Sequence, residues 1–547
     1  SETNMSKDNK KHSIKPTRRE FLATSGAVAG AAALGMDPGI ANAAKRHPKR
    51  GGTVRFATRS DSRGLDPHRN ILYYVSHPLA GLTSGLLDFD ANMNIKPGLA
   101  ESWDISKDLK TYTFKLRRGA EYHNGQTIDA ESIKWNIERI KDPKIGHAFT
   151  RSAISDVERV TVDDKYTVNI HLKNPSAIFL ANVIYYPINM MAPGSADTAD
   201  TNPQCSGPFK FKSWKRFDTT EMVRFENFWQ TDDQGNNLPY LDAVIGKPKK
   251  EDRVRLTALR TGEVDLIDNM AYADMGDFKK NYSDKFNSWE VSQVGTGYVS
   301  FNMKNGPFSP KDNPNAHMLR LAAAHAIDHE GIHQAIFHGQ GSIAESFYYK
   351  SSPWHSPNVK PWPEYDPDKA KSLLKKAGGE DTKILLVARD AYAYMHQTGE
   401  IVHSMLQQAG FNISFEIHPN PVLRAKYKKG DFNMDSSANS YRMDPDAWYA
   451  RAFHSQAPTN KMRYGYANEQ VDQLITAAKV ELDIDKRRQM YADIDSIVNT
   501  DVPMVYTHYI PLLEAGVKNL KGYKPAFPGP FQYSNGGLRT AWMDTTS

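Results

Sequence analysis

Two hydrophobic periods succeed one another between residues 96 and 140. Tyr112, Phe114 and Leu116 alternate with Thr113, Lys115 and Arg117, the period of two that gives a strand one buried face. Asn124-Gly125 is a turn signal, Asp129 stands where a helix N-cap belongs, and Ile133, Ile137 and Ile140 then recur at helical spacing. The pattern predicts strand, turn and helix in that order. Further on, Asp366-Pro367 reads as an N-cap followed by a first-turn proline. Leu386, Val387 and Ala388 form a strand-like apolar run that ends on Arg389. Near the N-terminus, residues 23–36 are small and apolar, but too few to span a bilayer, which takes about 20 residues. Strands and helices mixed along the chain, without a tandem repeat, predict an α/β protein.

Composition changes this picture little. The chain has 547 residues, 39% hydrophobic and 24% charged, ordinary values for a soluble protein long enough to share its core between two or three lobes. Thr17-Arg18-Arg19-Glu20-Phe21-Leu22 resembles the twin-arginine export motif, and Ala41-Asn42-Ala43 fits the small-residue pattern of a cleavage site. Residues 1–43 are therefore expected to be a signal peptide. It would carry six basic residues and four acidic ones, so its removal takes the formal charge from +6 to +4. Charge is spread along the chain, and the densest basic cluster, residues 45–50, reads as a solvated mature terminus; no nucleic-acid partner is expected. The single cysteine, Cys205, forbids an internal disulfide and a cysteine zinc cluster. It also lies far from the signal, so no lipid anchor is expected and the mature protein should be soluble in the periplasm.

Residues 96–140 resemble the signature segment of the extracytoplasmic solute-binding proteins, family 5, which serve peptide, nickel and opine ABC importers. The likeness continues through Gly51-Gly52-Thr53-Val54-Arg55-Phe56, Leu65-Asp66-Pro67, Ser206-Gly207-Pro208-Phe209, Glu226-Asn227-Phe228-Trp229, residues 365–374, residues 468–472, Arg487, Arg488, Tyr491 and Asp501-Val502-Pro503. It implies a two-lobed periplasmic binding protein of type II-like architecture with an extra subdomain and a ligand cleft between the lobes. Lobe I is placed at 44–297 and 515–547, with the extra subdomain at 86–204, and lobe II at 298–514. Such a protein captures a small-molecule solute as a monomer and delivers it to ABC permease subunits in the inner membrane. It needs no cofactor and performs no covalent chemistry.

Within the expected cleft, the resemblance and the residues diverge. Peptide carriers of this family place an aspartate just ahead of a Gly-Asp-Pro-like turn, where it pairs with the peptide ammonium. An ungapped reading of residues 440–446 puts Tyr441 in that place, and a gap of one to three residues brings Asp444 into the role. An ammonium buried without a carboxylate is costly, which disfavours an ordinary peptide N-terminus. Arg389 resembles the arginine with which some dipeptide carriers hold the ligand carboxylate, a task its planar fork suits. With Arg442 it points to a carboxylate-bearing ligand: an opine, a modified peptide or an acidic sugar conjugate. The bland reading of both arginines is a surface or interlobe ion pair. Tyr73, Tyr74, Tyr392, Tyr394, Tyr441, Trp448 and Tyr449 cluster on the same segments and could stack on a ligand, though lobe packing would use them equally well.

His329-Glu330-Gly331-Ile332-His333 matches the H-E-x-x-H pattern of zinc peptidases and offers a rival reading. A catalytic zinc needs a third ligand, and the surrounding sequence resembles an ordinary helix of the same family with His329 in an arginine position. The histidines are expected to form a solvated helix face. A third reading is a ligand-loaded adaptor of a membrane sensor, which would use the same closed form as transport.

Overall fold

The structure, a computed structural model, describes residues 47–71, 77–185, 188–525 and 536–545. The expected signal peptide and Tyr73 and Tyr74 lie outside them.

The alternation at Tyr112, Phe114 and Leu116 does produce a strand, Thr111–Leu116, with those three side chains at most 2% exposed. Beyond the turn, where Gly125 takes a positive φ of 83° that suits glycine, the helix Ala130–Lys141 begins at Asp129. Asp129 Oδ1 accepts from Ser132 N at 2.9 Å and Asp129 N donates to Ser132 Oγ at 3.1 Å, a reciprocal cap that satisfies two otherwise orphaned donors. Ile133, Ile137 and Ile140 are fully buried. This helix packs on a four-stranded antiparallel sheet ordered Ala100–Ile105, Thr111–Leu116, Thr167–Leu172, Val157–Asp164. Cys205 is buried and unpaired, and burial pushes its thiol pKa far up.

A second, larger sheet of eleven strands organises the rest. Its order is Asn412–His418, Lys383–Arg389, Met434–Ser440, Phe286–Phe301, Met504–Val517, Leu266–Ile267, Thr53–Thr58, Ala243–Pro248, Thr219–Arg224, Phe209–Lys215, with Ser342–Ile343 paired beside Met504–Val517. Two three-stranded parallel groups stand in it. Thr53–Thr58 runs parallel to Ala243–Pro248 and Leu266–Ile267, and Lys383–Arg389 runs parallel to Asn412–His418 and Met434–Ser440. The long antiparallel pair Phe286–Phe301 and Met504–Val517 lies between them and belongs to both. Its ladder breaks between Val291 and Gly295, opposite Leu512 and Ile510. Pro511, which has no N–H to give a ladder, stands at the break.

Candidate ligand-binding cleft

In open α/β sheets, ligands bind beyond the carboxyl ends of parallel strands. Here two such sets of ends border one cleft of about 740 Å³, within the size range of small-molecule sites. Thr58 ends one parallel strand, Arg59 and Ser60 follow it, and Lys250 follows its neighbour; Asp268 and Asn269 follow Leu266–Ile267. Arg389 ends the strand Lys383–Arg389, and residues 437–440 end the adjoining one. Val294, Gly295, Ile510 and Leu512 come from the two crossing strands at their ladder break and also line the cleft.

Among the described residues, the lining carries six basic side chains, Arg59, Lys250, Arg389, Arg442, Arg451 and Arg463, against one carboxylate, Asp268. Not all six face a ligand unengaged. Arg463 is bound by Asp435, donating from Nε at 2.8 Å and again from Nη2, while Tyr427 donates its hydroxyl to the same carboxylate at 3.0 Å. Arg442 Nη1 donates to the Tyr441 carbonyl at 3.1 Å, and Arg451 Nε to Thr459 Oγ1 at 3.3 Å. Arg389 differs: its Nε is buried and has no hydrogen-bond partner among the described residues. A buried donor left so costs about 1–3 kcal/mol, which an arriving oxyanion would recover.

Asp268 lies 3.8 Å from Arg255, whose side chain is completely buried. The Arg255 guanidinium donates to the carbonyls of Lys249 at 2.8 Å, Lys250 at 2.9 Å, Asp268 at 3.1 Å and Asn269 at 2.8 Å, so one arginine fixes the backbone of this rim. Nothing in the hydrophobic pattern singled out Arg255, Arg59, Lys250 or Asp268. The available signal was position: each cleft-lining member follows an apolar strand-like run, as Arg389 does.

Of the residues expected in the site, Arg389, Arg442 and Tyr392 line the cleft, and Tyr394 with them. Tyr392 and Tyr394 stack with centroids 5.7 Å apart. Tyr441, Asp444, Trp448 and Tyr449 stand in the core instead, each at most 3% exposed. Tyr441 shares a hydrogen bond with Thr296 Oγ1 at 2.7 Å and packs on Phe347 and Tyr349. Trp448 stacks face to face on Phe347 at 4.5 Å and donates to Tyr506 OH at 3.0 Å. Asp444 takes both fork nitrogens of Arg487, at 2.6 and 2.8 Å.

The histidine helix also departs from expectation. His329–Phe337 lies against the crossing strand Met504–Val517, so its histidines are not a solvated face. His329 Nε2 meets the Tyr506 carbonyl at 3.0 Å, His333 Nδ1 meets His508 Nε2 at 2.9 Å, and His325, on the preceding helix, meets the Glu364 carbonyl at 2.6 Å. Burial lowers the His329 pKa and pushes that of His508 down to about 3. The motif and the family resemblance pointed to a helix but could not show which side the sheet would cover.

Two opposed sets of strand ends, joined by two crossing strands and lining one cleft, define a two-lobed solute-binding protein. Solved structures share the fold. The periplasmic binding protein DppA of Helicobacter pylori, in complex with the peptide STSA, superposes with a TM-score of 0.71 at 23% identity over 91% of this chain and 99% of that one. AgaA of A. tumefaciens R10, in complex with agropinic acid, gives 0.70 at 24% identity over 91% and 99%. By sequence, the glutathione-binding protein GsiB of Salmonella paratyphi A is 28% identical over 490 residues, 86% of this chain and 91% of the relative. The profile of the bacterial extracellular solute-binding proteins, family 5 middle, matches residues 94–461. The chain belongs to that family, whose members bind solutes for ABC importers and are not enzymes. Among the described residues, no helix is long and apolar enough to cross a membrane.

Proposed function

We propose that this chain captures a carboxylate-bearing, peptide-like or opine-like solute in the cleft and presents it to the permease subunits of an ABC importer. The observation that carries the reading is Arg389: a guanidinium at the end of a parallel strand, its Nε buried without a partner among the described residues, in a lining whose described basic residues outnumber the acidic ones six to one. A carboxylate would meet its fork in two parallel bonds. Relatives support the class of ligand, since GsiB binds glutathione, AgaA was seen with agropinic acid and DppA with a peptide. Tyr392 and Tyr394 would stack on the solute, and Arg442 would sit beside its acidic end. Export by the twin-arginine route as a monomer to the periplasm, with lobes at 44–297 plus 515–547 and at 298–514 and an extra subdomain at 86–204, completes the proposal.

Native mass spectrometry of the mature protein, compared with its denatured mass, tests it. A retained organic solute bearing a carboxylate is the expected result, and the complete failure to retain or take up any organic solute would overturn the carrier reading. With that solute in hand, Arg389→Ala should weaken binding by about 2–5 kcal/mol in calorimetry, the scale for truncating one partner of a buried charge pair. An unchanged Kd removes Arg389 from the site.

A further inference from the structure

We propose that the solute carries at least two acidic groups, one received by each wall of the cleft. This rests on the carrier reading above and narrows it. The basic residues of the lining are not gathered around one point. Arg59 and Lys250 follow the strands Thr53–Thr58 and Ala243–Pro248, whose last residues, Thr58 and Pro248, stand opposite one another, and Lys249 N donates to the Thr58 carbonyl at 2.7 Å just beyond them. Arg389, Arg442 and Arg451 come from the other parallel group and the segment that follows it. The chain thus sets cations on both sides of the opening.

Local acids do not balance this arrangement. Asp268 is the one carboxylate among the described residues of the lining; it stands on the Arg59 and Lys250 side, 3.8 Å from Arg255, which Asp252 already bridges at 2.5 Å. Asp435 lies behind the lining and is taken by Arg463. With the Arg463–Asp435 pair set aside, one wall presents Arg59 and Lys250 with Asp268 and the other presents Arg389 and Arg451, with no further carboxylate among the described residues of the lining. A ligand with one anionic group at the Arg389 wall leaves the Arg59 and Lys250 wall with one cation more than Asp268 balances when water is displaced, and a desolvated charge without a partner is expensive. A second acidic group at the far end of the same ligand removes that cost. An arginine fork accepts carboxylate and phosphate alike, and a lysine ammonium serves either as a point charge. The shared chemistry is therefore a solute with two separated oxyanions.

The retained solute, or one captured from a metabolite extract, is first identified by mass and its ionisable acidic groups counted. Calorimetry then compares two probes of one skeleton: N-acetyl-γ-glutamylglycine, with two carboxylates, and the same molecule with its glycine carboxylate amidated. The expected results are a solute with two or more acidic groups and a preference of at least about tenfold for the dicarboxylate. Arg59→Ala combined with Lys250→Ala, checked for native circular dichroism, should erase that preference. A retained solute with one acidic group or none overturns the inference while leaving the carrier reading intact. So does equal binding of the two probes, or a preference untouched by the double variant. Failure to hold any organic solute overturns the carrier reading itself.

Discussion

Arg487 decides the fate of Asp444. Besides the bidentate pair, it donates to the Ala478 carbonyl at 2.9 Å and to Tyr491 OH at 3.2 Å, so the carboxylate is held in a saturated, buried network and cannot reach a ligand ammonium. Asp444→Ala should cost about 3–5 kcal/mol in urea unfolding, because it strands a buried guanidinium. Other buried carboxyls set a pH dependence. Burial pushes Asp495 up to about 7, against the pull of the Tyr449 hydroxyl it accepts from, and pushes Glu514 up to about 8, where Tyr523 donates to it and Asp268 adds to the shift. Each is raised above its unfolded value, so the native state keeps a proton the unfolded chain has released, and stability falls as pH rises toward those values. His68 and His123, pushed down to about 4, and His508, pushed down to about 3, act oppositely, but only below the unfolded histidine value of about 6.5. Between about pH 6.5 and 8.5 the carboxyls therefore decide the slope. Tm should decline across that window, and Asp495→Asn with Glu514→Gln should flatten the decline in a calorimetric pH series. Legibility at this scale was uneven. Arg389 was proposed because it ends an apolar strand-like run and resembles the carboxylate-holding arginine of some dipeptide carriers, whereas Tyr441 and Trp448 could not be placed, since a buried aromatic suits a core and a binding site equally well.

The strand, turn and helix between Thr111 and Lys141 were legible because each local preference agrees with the fold: alternation, glycine at a positive φ, an aspartate cap and an isoleucine stripe. Asp129→Ala should destabilise this element by about 0.5–2 kcal/mol, seen as a lower urea midpoint. Elements whose role comes from pairing were less legible. The crossing strand Phe286–Phe301 shows nothing in its own sequence that foretells a neighbour on each side, yet Gly295 depends on one of them: a Cβ there would lie 2.4 Å from the Asn439 carbonyl oxygen. Gly295→Ala must therefore push the strand Met434–Ser440 away at the cleft floor, and both Tm and solute affinity should fall. A variant that keeps both would show that the two strands can part freely. The same dependence on pairing explains why Arg59 and Lys250 went unnoticed. Only the sheet brings residues so distant in sequence to the lip opposite Arg389.

For the whole molecule, the excess of basic residues is modest after the expected cleavage, +4 in all, so the concentration of cations in one cleft matters more than the total. A cleft lined with one sign of charge focuses its field on an incoming anion. Raising ionic strength from about 0.01 M to about 0.15 M shortens the screening length from about 30 Å to about 8 Å, so association with an acidic solute should slow in stopped-flow measurements. A salt-independent rate would argue against electrostatic capture. The α/β class and family membership were legible along the chain, while the opposition of two cationic walls was not, because it exists only once the sheet is assembled. Gly295 and Ile510 stand opposite one another beside the ladder break, so the long excursion between them leaves and returns at a single point. Exchanged for its counterpart in another carrier at that paired junction, such an excursion would bring one foreign wall to a native one, together with a foreign half of the core it shares with residues 86–192. Inheritance could then recombine the two halves of a specificity separately, which gives this architecture a route to new solutes that point substitutions would reach only one residue at a time.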